Sequence, residues 1–171
     1  LNTGRGPLKD VRVRKALSMA VDREALVRDV VCGGGQPCFG FTPDGAGYRT
    51  PHGVEFNPEK ARALLAEAGF PGGEGFPRLE LMTTSREVQK TMAEAIQGMW
   101  KKHLGIHVEI RSCEWTAYKF AQNSMQYDLS SSSWSGDYLD PSSFLDLWSA
   151  ASGNNNTGWF HPEYERLLAE S

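Results

Sequence analysis

A chain of 171 residues is long enough for one domain with a substantial core, and a chain of this size buries about 70% of its unfolded surface. The composition is that of a globular protein, with 40% hydrophobic and 23% charged residues and a formal net charge of −3. This charge gives no electrostatic reason to expect binding to nucleic acid or to an anionic membrane surface. No apolar run approaches the ~20 residues that a membrane-spanning helix needs.

The first third of the chain is predicted to hold two short helices followed by a long loop. Asp10 and Asp22 are suitable N-cap residues for helices over 11–20 and 24–31. Residues 32–57 are rich in glycine and proline and continue no helical or strand pattern. A loop of this length is usually functional or packed against another domain.

The cysteines and histidines show no metal-binding spacing, so no metal and no cofactor are expected. Cys32 and Cys38 flank a stretch with three glycines, and the spacing is compatible with a disulfide or with two free thiols. The same glycines lack the phosphate-binding pattern, because no Lys-Ser or Lys-Thr pair follows them.

From residue 57 onwards the chain alternates between helical and strand patterns. Asn57 and Pro58 predict the start of a helix that ends near Gly69. Strands are predicted over 78–83, 106–111 and 127–133, and helices over 85–103, 114–124, 141–151 and from His161 onwards. This alternation implies parallel crossovers, so the predicted fold class is α/β, with a parallel or mixed sheet flanked by helices.

Residues 134–141, Trp-Ser-Gly-Asp-Tyr-Leu-Asp-Pro, are the main candidate site. They follow a run of serines (130–133) and the last predicted strand, and they precede a predicted helix. In α/β proteins this is where ligands bind. Asp140 and Pro141 are explained as the N-cap and the first residue of that helix. Asp137 is a candidate ligand contact, with a solvated loop acid or a local turn former as the alternative.

The residue types of this segment suit ligand binding better than catalysis. A carboxylate such as Asp137 can hold an ammonium group through charge-assisted hydrogen bonds, and Trp134 and Trp115 offer flat apolar walls. Packing in the core is the alternative for both tryptophans, and Trp100, Trp148 and Phe144 are expected there. A remote alternative is a hydrolase that uses Asp137 and Asp140, but no nucleophile–base set accompanies them.

Six segments match, in order, the motifs of one known family. They are PLKDVRVRKALSMAVDR at 7–23, NPEKARALLAEAGF at 57–70, IQGMWKKHLGI at 96–106, EW at 114–115, WSGDYLDP at 134–141 and GNN at 153–155. On these segments the chain resembles the bacterial extracellular solute-binding proteins of family 5, the oligopeptide- and dipeptide-binding receptors of ABC importers. The resemblance covers nearly the whole chain.

The resemblance implies a periplasmic-binding-protein-like lobe. Residues 1–171 would form a single α/β lobe, like the part of the family called the third domain, of a larger two-lobed protein. It implies a location in the periplasm or on the outer face of the membrane, often with a lipid anchor. The implied partners are a peptide or other small solute, the membrane permease of an ABC transporter and the remaining lobe. Capture by hinge closure needs no covalent chemistry, so no enzyme activity is expected.

The resemblance also suggests roles for individual residues. In peptide-binding members the acid of the Trp-x-x-Asp segment receives the peptide's α-amino group, a role that falls to Asp137. Trp134 and Trp115 would line side-chain pockets. From their residue types, Tyr138 could wall the cleft or cap the interface with the other lobe, and Ser133 offers a hydroxyl; both complete the predicted ligand-binding set. Receptors for longer peptides can carry arginines just before this segment, and here there are none. The serines therefore keep open an oligosaccharide or another small solute as the ligand.

Overall fold

A computed structural model of the chain describes residues 1–45 and 47–171. Its centre is a sheet of three strands: β1 (Leu79–Thr84), β2 (Val108–Cys113) and β3 (Leu129–Ser130). The strand order is β2-β1-β3, and β1 pairs in parallel with both neighbours. The expected α/β class with a parallel sheet flanked by helices is confirmed.

The helices surround this sheet in chain order. They are α1 (Val11–Met19), α2 (Arg23–Leu26), α3 (Pro58–Glu67), α4 (Glu87–Leu104), α5 (Trp115–Asn123), α6 (Ser142–Leu145) and α7 (Pro162–Glu170). Helix α4 connects β1 to β2, and α5 connects β2 to β3, as parallel pairing requires. Among the described residues, no helix combines the length and the apolar character needed to cross a membrane.

Local capping signals set the helix boundaries where the sequence predicts them. The carboxylate of Asp10 accepts a hydrogen bond from the amide of Arg12, and that of Asp22 accepts one from Ala25. These acceptors satisfy amides that have no partner within the first turn of a helix. Helix α4 ends at Gly105, which has the left-handed φ of 69° that glycine adopts without steric cost.

Both faces of the sheet are covered. Leu79 and Leu81 of β1 belong to the main core with α1, α3 and α4, where the indole N–H of Trp100 donates to the Leu17 carbonyl at 2.9 Å. The neighbouring Met82 lies in a second cluster with Tyr118 of α5. Since successive strand side chains point to opposite faces, α4 and α5 cover different sides, as is usual for parallel sheets.

Three predicted elements are shorter than expected. The helix predicted over 24–31 is α2 followed by a π-helical segment at Val27–Val31. The strand predicted over 127–133 is reduced to β3, because the carbonyls of Tyr127 and Asp128 accept hydrogen bonds from Asn2 instead of a sheet neighbour. The helix predicted over 141–151 is divided into α6 and a 3₁₀ turn at Asp146–Trp148. The assignment of Phe144 and Trp148 to the core is wrong: both are only half-buried and belong to neither core cluster.

Candidate ligand-binding site

A cavity of about 420 Å³ lies where the chain leaves β3. Its walls come from the α5 helix, the serine run after β3, the segment 147–157 and the loop that carries Phe41. The lining includes Trp115, Lys119, Gln122, Tyr127, Ser130, Ser132, Ser133, Trp134, Leu147, Trp148, Asn154, Asn156 and Thr157. This is the carboxyl end of the parallel strands, the position at which α/β folds bind ligands.

Aromatic rings form much of the cavity wall. Trp115 is 60% exposed, and its indole stacks on the ring of Tyr118 with 5.8 Å between centroids and an interplanar angle of 13°. Across the cavity, Phe41 meets Trp148 edge to face at 4.8 Å. Rings held at fixed angles by one another provide flat apolar surface at low conformational cost on binding.

A chain of polar groups runs along the α5 side. The hydroxyl of Tyr118 shares a 2.7 Å hydrogen bond with Ser130 Oγ, and the amide nitrogen of Gln122 donates to the same oxygen at 3.3 Å. The ammonium of Lys119 donates to Gln122 Oε1 at 2.9 Å. These bonds fix the side chains of α5 against the strand that ends beside them.

Ser143 holds the segment 134–141 in place. The indole N–H of Trp134 donates to the Ser143 carbonyl at 2.8 Å, and the backbone N–H of Asp137 donates to Ser143 Oγ at 2.7 Å. Ser143 is buried, so both bonds are partly shielded from bulk water. The N–H of Trp134 is therefore used within the protein, and the contribution of Trp134 to a ligand is its ring face.

The acid expected to cap the next helix does so. Asp140 Oδ1 accepts hydrogen bonds from the amide of Ser142 at 2.9 Å and from its hydroxyl at 2.7 Å. These bonds favour the charged form and lower the pKa of the Asp140 carboxyl. The helix begins at Ser142, one residue later than predicted, with Pro141 already in the helical conformation.

The structure brings three of the five predicted site residues to one cavity. Trp115, Trp134 and Ser133 line it together. Asp137 and Tyr138 are exposed on the same segment but do not line the cavity. Among the described residues, the Asp137 carboxylate makes no hydrogen bond or ion pair, whereas the Tyr138 hydroxyl lies 3.3 Å from Ser142 Oγ.

Among the lining residues that the sequence did not assign to a ligand site are Phe41, Lys119 and Trp148. Lys119 could have been found, because it lies four residues after Trp115 on a predicted helix and therefore on the same face. Trp148 lies in a predicted helix in register with other apolar residues, a pattern that favours packing in the core. Phe41 carries no local signal, since it lies in a loop whose path is decided by tertiary packing.

A parallel α/β lobe with an aromatic-walled cavity at the carboxyl end of its strands is suited to binding a small ligand. The chain belongs to the bacterial extracellular solute-binding proteins, family 5: the model described as "Bacterial extracellular solute-binding proteins, family 5 Middle" matches residues 1–156. Members of this family are solute-binding proteins rather than enzymes. The expected location, in the periplasm or outside the cell, is confirmed, because the family is described as extracellular and MppA as periplasmic.

Named relatives are similar over nearly the whole chain. The oligopeptide-binding protein OppA of Bacillus subtilis is 34% identical over 179 residues, and the periplasmic murein peptide-binding protein MppA of Escherichia coli is 35% identical over 177 residues. Each alignment covers 99% of this chain and 33% of the relative. The chain therefore spans about a third of the length of these relatives.

A solved structure shows the same fold. A periplasmic oligopeptide-binding protein of Borrelia burgdorferi, OppAIV, superposes with a TM-score of 0.93 and 37% sequence identity. The superposition covers 99% of this chain and 34% of that one. The expected periplasmic-binding-protein-like lobe is thus confirmed.

Proposed function

We propose that this chain is one lobe of a two-lobed receptor that captures short peptides and delivers them to the permease of an ABC transporter. The observation that carries the proposal is the cavity at the end of β3, which is lined by Trp115, Trp134 and Ser133. Asp137 follows on the same segment, and its exposed carboxylate has no partner among the described residues. Two relatives whose names state peptide binding are similar over 99% of the chain.

In this proposal Asp137 receives the α-amino group of the peptide. Its backbone N–H is fixed by Ser143, so the carboxylate is presented from a rigid segment. An exposed ion pair contributes little, roughly 1 kcal/mol or less, whereas a desolvated charge-assisted pair is worth more. The Asp137 contact therefore becomes strong only when a second surface covers it.

Hinge closure supplies that second surface. In this lobe alone, Trp115 is 60% exposed and Tyr138 is 56% exposed. The lobe therefore provides one wall of the site, and the second lobe would provide the opposite wall. A ligand that contacts both lobes stabilises the closed form by the difference between its contacts in the two states. Removing this aromatic surface from water contributes about 25 cal/mol for each Å².

The alternatives gain less support. An oligosaccharide or another small solute would use the serines and tryptophans in the same way, but the relatives described above are named for peptides. A hydrolase that uses Asp137 and Asp140 is opposed by the hydrogen bonds from Ser142, which hold Asp140 in its charged form at the start of α6. A general acid needs the opposite shift of its pKa.

The proposal is tested by calorimetry on the full-length receptor with dipeptide through pentapeptide ligands and, in parallel, with oligosaccharides. We expect peptides to bind and oligosaccharides not to bind. Asp137→Asn should weaken binding of peptides about 10-fold or more, and N-acetylation of the peptide should weaken binding to the wild type similarly. Asp146→Asn, at an exposed acid outside the site, is the matched control and should leave affinity unchanged.

A result in which oligosaccharides bind and peptides do not would overturn the peptide proposal in favour of its alternative. A second measurement examines the two-lobed arrangement. The 171-residue chain by itself should bind the same peptides far more weakly than the full-length receptor, because half of the enclosure is absent. Submicromolar affinity of the isolated chain would contradict capture by two lobes.

A further inference from the structure

The cavity has an unexpected electrostatic character. Of the described side chains that line it, Lys119 is the charged one, and the others are aromatic, aliphatic, hydroxyl or amide groups. The acid predicted to bind ligand, Asp137, is not part of this lining. The cavity therefore presents a positive charge, whereas the sequence drew attention to a negative one.

Lys119 has no acidic partner among the described residues. Its ammonium donates to the neutral Gln122 Oε1 at 2.9 Å and lies 5.9 Å from the centroid of the Trp115 ring. An ammonium has three donors and no acceptor, so the bond to Gln122 leaves two donors for a ligand. The ring and the amide position the charge without neutralising it.

Gln122, the next cavity residue of α5, is already engaged in hydrogen bonds. Gln122 donates to Ser130, and Ser130 is shared with the hydroxyl of Tyr118. By contrast, the hydroxyls of Ser132 and Ser133 take part in none of the hydrogen bonds within the described part of the chain, and both line the cavity with Lys119. The groups left to bind a ligand thus include one cation and the two serine hydroxyls, together with the indole N–H of Trp115 and the side-chain amide of Asn154. This set is suited to a carboxylate.

We propose that Lys119 binds the carboxylate of the ligand and makes this receptor select solutes with a free acidic end. This inference rests on the proposed function, since it names the second of two charged contacts with a peptide. The amino group binds Asp137 outside the cavity, and the carboxyl group enters the cavity to meet Lys119.

A lysine gives this contact a particular specificity. Its ammonium is a compact point charge on a flexible stem, unlike the planar fork of arginine, which fixes a carboxylate in one orientation. Lys119 should therefore accept carboxylates at slightly different positions. The carboxylate could come from the C-terminus of a peptide or from an acidic side chain, and the test has to separate these two sources.

The test compares each peptide with its C-terminal amide by calorimetry on the full-length receptor. For the wild type, amidation should weaken binding about 10-fold or more, which is the loss of one charge-assisted hydrogen bond. Lys119→Met keeps the length and apolar stem and should lose this discrimination, binding acid and amide equally. Lys119→Arg keeps the charge and should restore most of it.

Lys102→Met on the exposed surface of α4 is the matched control and should behave like the wild type. Amidated peptides with one glutamate, placed in turn at each position, reveal whether an acidic side chain is the carboxylate recognised. If Lys119→Met still prefers the acid over the amide as strongly as the wild type does, Lys119 is not the carboxylate site. If the wild type binds no peptide in either form, the proposed function fails and this inference falls with it.

Discussion

Trp134 and Ser143 are joined by a 2.8 Å hydrogen bond from the indole N–H to the backbone carbonyl. The hydroxyl of Ser143 also accepts the backbone N–H of Asp137 at 2.7 Å, so one buried serine holds both the aromatic and the acidic residue of the candidate site. The site segment is thereby tied to the first turn of α6. Its precision depends on a residue that does not itself line the cavity.

Replacing this serine should weaken both stability and binding. Ser143→Ala removes the hydroxyl acceptor and leaves the N–H of Asp137 unpaired, which costs about 1–2 kcal/mol of unfolding free energy. Peptide affinity of the full-length receptor should fall as well, because Asp137 loses its fixed position. Urea unfolding and calorimetry measure the two effects. Ser135→Ala, at an exposed serine of the same segment, should change neither, and equal behaviour of the two variants would contradict the role of Ser143.

Gly136 should not tolerate a side chain. A Cβ added at this position would lie 2.8 Å from Cε2 of Phe144, closer than real Cβ contacts allow. Gly136→Ala should therefore displace the ring or the segment, at a cost of about 1–3 kcal/mol in the unfolding free energy. Thermal unfolding and peptide titration are the measurements. Gly153→Ala is the control, since an added Cβ there meets nothing within 4 Å, and a loss of stability confined to Gly153 would contradict this packing argument.

Stability should fall at high pH because of Tyr127. Burial raises the pKa of its phenol from 10.0 to about 12, and its hydroxyl donates to the carbonyl of Asn156. The folded state thus holds this proton more tightly than the unfolded state. The stabilisation is fully present below pH 10.0, and it is lost as the pH rises towards about 12.

The contribution of Tyr127 is measured by denaturant unfolding at a series of pH values from neutral to alkaline. The wild type should lose about 2 kcal/mol or less over this range through Tyr127. Tyr127→Phe should be less stable at neutral pH but show a shallower dependence on pH. Parallel pH profiles for the two proteins would show that Tyr127 does not titrate differently in the folded state.

One buried hydroxyl should be dispensable. Thr83 is fully buried in β1, and its Oγ1 has no hydrogen-bond partner within the described residues. Thr83→Val has nearly the same shape without the unsatisfied oxygen, so the unfolding free energy should stay equal or rise by up to about 1 kcal/mol. Thr91→Val removes a bonded hydroxyl from the surface of α4 and should give no gain. Marked destabilisation by Thr83→Val would show that Oγ1 has a partner in the full-length protein.

Much of the fold follows from local sequence signals. Asp10, Asp22 and Asn57 predict helix starts, and Gly105 predicts a helix end, because these signals depend on hydrogen bonds and backbone angles within a few residues. The strand predicted over 78–83 lies within one residue of β1. The strand predicted over 127–133 was too long, because its pairing partner is decided by the distant Asn2.

The sequence by itself therefore determined the α/β alternation and most helix starts, and it predicted the segment 134–141 as the place for a ligand. Only the tertiary structure decided what surrounds that segment. Phe41, Lys119 and Trp148 come from distant parts of the chain. Lys119 reaches the cavity because α5 packs on the face of β1 that carries Met82, and Phe41 reaches it through its contact with Trp148. A local sequence pattern cannot predict such a contact, because Phe41 and Trp148 are more than a hundred residues apart in the chain.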